Sequence, residues 1–82
     1  MDSDKTVRNA FLDTVVRQIE SGEPPVAKAT YQRLIAAGQS HTQALHLIAA
    51  ALRSEMDRML ADAKPFDNQR YAELLAKIAP EG

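Results

Sequence analysis

The sequence predicts an all-α fold: a compact antiparallel four-helix domain with a long central third helix. Three observations carry this. Apolar residues recur at helical spacing in four segments separated by short Gly- and Pro-containing breaks, while no segment reads as a strand and no repeat is present. Residues 34–52 contain no Asp, Glu, Lys or Arg, so all the charge of an 82-residue chain falls elsewhere and this window is the part folding must hide. There is no cysteine, which leaves apolar packing to hold the fold without disulfides or thiolate metal sites.

The first helix is expected over residues 4–21. Val7, Phe11, Val15 and Ile19, with Leu12 and Val16 beside them, form one apolar face. Asp4 with Arg8 and Asp13 with Arg17 are spaced to pair on the solvated side. Gly22 ends this helix, and Glu23-Pro24-Pro25 opens the next, because proline is tolerated in a first turn and nowhere deeper. The second helix, residues 25–37, places Val26, Thr30, Leu34 and Ala37 on one side, with Tyr31 and Ile35 adjacent. Gly38 then stands where a left-handed residue after the helix end is wanted.

Ser40 and Gln43 have the spacing of a capping box for the third helix, residues 41–63. Its inner stripe is Leu45, Ile48, Ala49, Leu52, Met56, Met59 and Leu60. Ala44, Leu47, Ala50 and Ala51 make its first half apolar on nearly every side. The second half is amphipathic, with Arg53 and Asp57, and Arg58 and Asp62, spaced to pair, and Lys64-Pro65 ends it. Asp67 caps the fourth helix, residues 68–79. Phe66 and Tyr71 are placed as a hydrophobic staple, Tyr71, Leu74, Leu75 and Ile78 face inward, and Glu73 and Lys77 are spaced to pair.

Residues 23–80 resemble a family of short, uncharacterised bacterial proteins. The resemblance is carried by Pro24-Pro25, Thr30-Tyr31-x-Arg33-Leu34, Gly38-x-Ser40-His41, Ala44-Leu45-His46-x-Ile48-Ala49, Glu55, and Lys64-Pro65-Phe66-Asp67-x-x-Arg70-Tyr71 with Leu74 and Leu75. It implies an all-helical fold and no assigned reaction, and it marks His41, His46, Glu55 and residues 65–71 as recurring positions.

Composition narrows the function classes. A single domain is expected over residues 1–82, burying about 60% of the surface its unfolded chain exposes. The net charge of −1, with signs mixed evenly, gives no electrostatic argument for nucleic acid or an anionic membrane. Residues 1–10 lack the apolar stretch of a signal peptide, and the apolar run over residues 44–52 is too short to span a bilayer, so a cytoplasmic location and no membrane partner are expected. No serine elbow, phosphate-binding loop or dinucleotide fingerprint is present, so the expectation is a non-enzyme with no catalytic residue, cofactor or small-molecule substrate.

The candidate binding residues are His41, His46 and Glu55. Five residues along a helix place the two histidines about 140° apart, so they do not share one metal ion from a regular helix, and no metal site is expected. His41 is expected to pack on the second helix or bond a loop carbonyl, and His46 to lie at the boundary between core and surface. Two functional readings remain. The favoured one is a small non-enzymatic module that binds a protein partner or itself, since the third helix has more apolar circumference than three short neighbours cover, above all over residues 47–51. The alternative is a helix-turn-helix nucleic-acid binder, with the turn at residues 38–40 presenting Ser40, His41, Thr42 and Gln43 to base edges. Against it, no Lys or Arg lies between Arg33 and Arg53 to meet phosphates.

Overall fold

The computed structural model describes residues 3–79, with side chains from Ala10 onward; Val7 and the pairing of Asp4 with Arg8 lie outside the described side chains. Four helices and no strand form the described part: α1 (Ser3–Ser21), α2 (Pro25–Ala36), α3 (His41–Asp62) and α4 (Asn68–Ala76). At about 1.5 Å rise per residue, the 22 residues of α3 run about 33 Å. That is nearly the 36 Å length of the whole molecule. Both α2 and α3 pack on all three other helices, so α3 shares its central place with α2. Among the described residues no helix is long and apolar enough to cross a membrane.

The core is one cluster: Val15 from α1, Ala27 and Leu34 from α2, Ala44, Leu45, Ile48, Ala51 and Leu52 from α3, and Tyr71 and Leu75 from α4. Half of it comes from the charge-free window on α3, and alanine there lets neighbouring backbones come close. On α2 the inward line is Ala27, Thr30 and Leu34, whereas Ala37 and Ile35, both expected near the core, are exposed. Buried Thr30 satisfies its hydroxyl by donating to the Val26 carbonyl at 2.7 Å.

Local chemistry sets the ends. Gly38, at φ 97, follows α2, and its N–H reaches the Ile35 carbonyl while the Gln39 N–H reaches that of Leu34, both at 3.0 Å. This Schellman closure ends α2 at Ala36, one residue before its expected end. Ser40 then caps α3: its hydroxyl accepts from the Gln43 N–H at 3.1 Å, and the Gln43 side chain accepts from the Ser40 N–H at 2.9 Å. At the other end, Ala63 adopts a left-handed φ of 52, and its N–H and that of Lys64 converge on the Met59 carbonyl. The reversal therefore begins before Pro65, at a residue that carries a Cβ in a region glycine prefers.

Two expectations about helix faces and lengths are corrected. Leu60 is 73% exposed rather than on the inner stripe, and Met56 and Met59 are half-buried. The buried line of α3 instead runs Ala44, Ile48, Ala51 and Glu55, and Leu60 lies about 140° around the helix from Glu55. The fourth helix stops at Ala76, not residue 79. Its last turn is tightened by the Ile78 N–H bonding the Leu75 carbonyl. The guanidinium of Arg33 on α2 then takes the carbonyls of Leu75 and Ile78 at 3.0 and 2.9 Å, giving the orphan carbonyls of a helix end a charged donor. Of the ion pairs expected on helix surfaces, Arg53 with Asp57 and Arg58 with Asp62 form, and they are the only two among the described residues.

The staple forms as expected, with the rings of Phe66 and Tyr71 edge to face at 5.6 Å. Tyr71 also ties α4 to α1, its buried hydroxyl donating to the Gln18 side-chain carbonyl at 2.8 Å. Burial pushes the Tyr71 phenol up to about 12 from an ordinary 10.0. A raised folded-state value means this contribution to stability is complete below pH 10 and is lost as pH climbs through 12. Denaturant unfolding of Tyr71→Phe at neutral pH should show a loss of about 0.5–1.5 kcal/mol for the missing hydrogen bond. Between pH 10 and 12 the variant should lose less stability than the parent; parallel pH profiles would contradict the buried phenol.

Candidate functional site

The three candidate residues occupy three separate places. His41 opens α3 beside the helix N-terminus, exposed, where its Nδ1 shares a hydrogen bond with the Tyr31 hydroxyl at 2.8 Å. The two rings meet edge to face at 5.7 Å. It thus packs on α2 as expected, but through a side-chain hydroxyl rather than a loop carbonyl. His46 is exposed, and it borders a cleft of about 170 Å³ between α1 and α3 with Phe11, Leu12, Ala49, Ala50 and Arg53. Among the described residues no three His, Asp or Glu side chains come together at metal-binding distance.

Glu55 is the unexpected one. Sequence spacing places it on the face of α3 opposite His46, and the structure buries it to 2% exposure at the corner between α3 and α4. One carboxylate oxygen accepts the Asp67 N–H at 3.1 Å, and the other, also buried, has no protein partner among the described residues. Asp67 is the N-cap of α4 and itself accepts the Arg70 N–H at 3.1 Å. Glu55 therefore sets its carboxyl group at the N-terminal end of α4. Two clefts flank it, of about 440 and 320 Å³, and Arg58 and Arg70 line both. This corner is lined by charges of both signs, Asp62 and Asp67 with Arg58, Lys64 and Arg70, together with Phe66 and Met59.

A second surface is apolar. Ala10, Phe11, Thr14, Leu52 and Met56 enclose a cleft of about 300 Å³ between α1 and α3, next to the one bordered by His46. Ala50 joins that side to a further shallow groove of about 300 Å³, formed with Leu47, Ala51, Leu74 and Ile78. The expected apolar excess over residues 47–51 is thus real at Leu47 and Ala50, which are half-buried and exposed, while Ala51 is covered. Sequence reasoning missed that α1 extends this surface and that Leu60 stands out from the same helix face. The signal was available in the i, i+4, i+7 and i+11 relation of residues 49, 53, 56 and 60, which share one side of α3.

No family model, curated protein or solved structure matches this chain. Its chemistry must be read from its own geometry. That geometry commits Ser40 to the cap, His41 to Tyr31 and Glu55 to the start of α4.

Removing the Glu55 carboxylate should loosen the α3–α4 corner. By denaturant unfolding, Glu55→Ala should cost about 1.5–3 kcal/mol, the range for a hydrogen bond to a charged group, and Glu55→Gln, which keeps an acceptor oxygen, should cost less than half as much. Loss within about 0.5 kcal/mol for the alanine variant would show that Glu55 does not anchor α4.

Proposed function

We propose that this chain is a non-enzymatic helical module that works by self-association through the face shared by α1 and α3. The observation that carries the reading is Leu60: a large aliphatic side chain, 73% exposed, on the same side of α3 as two clefts lined mainly by apolar residues. Isolated exposed leucines are ordinary, but one that continues an apolar surface across two helices is characteristic of an interface. A domain of 82 residues without disulfides gains disproportionately from burying such a surface against a second copy.

Two further observations support a protein surface over a nucleic-acid one. The capping box engages the carbonyl oxygen of Gln43, which a bidentate contact to adenine would need, and the Ser40 hydroxyl is likewise in use. The outward side of α3 between residues 41 and 52 carries no cation to meet a phosphate.

Sedimentation equilibrium across a hundredfold concentration range tests the reading. The expected result is a weight-average mass that rises from the 9.0 kDa of one chain toward twice that value. A mass fixed at one chain throughout would contradict it.

A further inference from the structure

The outward side of α3 is complementary to itself in one antiparallel arrangement. Take a two-fold axis crossing α3 at the level of residue 55, so that a residue a given number of positions ahead of the axis meets the one as many positions behind it in the second copy. Asp57 then faces Arg53 of the second copy, and Leu60 faces its Ala50, each contact occurring twice as two-fold symmetry requires.

The side chains fit that register. Arg53 and Asp57 are exposed, their side chains 67% and 71% accessible, and their ion pair within one helix is a loose 4.0 Å. Such an exposed pair contributes little on its own and is available to exchange partners. Leu60 projects from α3 about 15 Å along the axis from Ala50. The cleft beside Ala50, bounded by Ala49, Phe11 and Leu12 with His46 and Arg53 at its side, measures about 170 Å³. That is slightly more than a cavity known to admit a benzene-sized apolar molecule, and so has room for a leucine side chain. Protrusion and hollow are equidistant from the axis, on opposite sides of it.

Shifting the register loses both matches at once. An axis at residue 57 sets Asp57 against itself, and one at residue 53 sets Arg53 against itself. Like charges placed opposite each other disfavour those alternatives, so the pair selects the arrangement that also seats Leu60.

We infer that the partner on the α1–α3 face is a second copy of this chain, docked antiparallel along α3 with Leu60 in the Ala49–Ala50 cleft and Arg53 paired with Asp57 across the two-fold. This geometry rests on the self-association proposed above. The position of α3 at the surface makes all the residues to be changed exposed ones, so the variants retain the core.

The experiment is sedimentation equilibrium on the parent chain and on Leu60→Glu, Arg53→Glu and the double variant Arg53→Glu with Asp57→Arg. Leu60→Glu is expected to stay at the mass of one chain at every concentration. Arg53→Glu, which sets the introduced carboxylate of one copy against Asp57 of the other at two places, should weaken the dimer on the order of tenfold or more, and the double variant should restore it. A parent that dimerises while Leu60→Glu and Arg53→Glu dimerise equally well would overturn this face and leave self-association standing. Weakening by Arg53→Glu without recovery in the double variant would overturn the register. A parent that is never more than one chain would overturn both the geometry and the reading beneath it.

Discussion

The docking of α4 is the constraint on which the rest of the structure depends. A helix of nine residues has too few internal hydrogen bonds to persist alone, so α4 exists only where tertiary contacts hold it. Tyr71 and Leu75 supply those contacts by disappearing into the core between the other helices. Three polar ties then hold it at both ends and its middle: Glu55 to the Asp67 N–H before its first turn, Tyr71 to Gln18 across to α1, and Arg33 to the carbonyls of Leu75 and Ile78 at its close. Each tie comes from a different helix, so α4 joins α1, α2 and α3 to one another.

That constraint decides what α3 leaves uncovered. Because the chain turns back at Ala63 and enters α4 over Glu55, the side of α3 that bears Glu55 is the one that is closed. The opposite side, with Arg53, Asp57 and Leu60, is left to α1 and solvent. A buried carboxylate and an exposed leucine thus have a single cause, the direction in which α4 returns. The same arrangement divides the charge-free window between rim and core. Its histidines lie on the rim, one bonded to Tyr31 and one beside the α1–α3 cleft, while Leu34, Ala44, Leu45, Ile48, Ala51 and Leu52 lie in the core.

What could be read from the sequence was what is local along it. The capping box at Ser40 and Gln43, the left-handed Gly38 and the Phe66–Tyr71 staple all join residues within five positions, and helical geometry alone brings them together. The four helices followed from apolar spacing in the same way. Glu55, Arg33 and Gln18 are different. Their partners lie 12 or more positions away, and no periodicity announces that a charged or polar side chain will be satisfied by a distant backbone or phenol. Misplacing Leu60 has the same origin. Spacing identifies two adjacent apolar lines on the second half of α3, but only the return path of α4 says which is covered. The shortened α4 follows too, since its end is set by Arg33 rather than by a stop signal of its own.

Native-state hydrogen exchange compares α4 with α3 most directly. If three helices jointly hold α4, the amides of Tyr71, Leu74 and Leu75 should open only with the whole molecule, within about 0.5 kcal/mol of Ile48 and Leu52 in the core of α3. Protection in α4 that is lower by about 2 kcal/mol or more, with α3 still fully protected, would mean that α4 detaches on its own and that its ties do not hold the fold together.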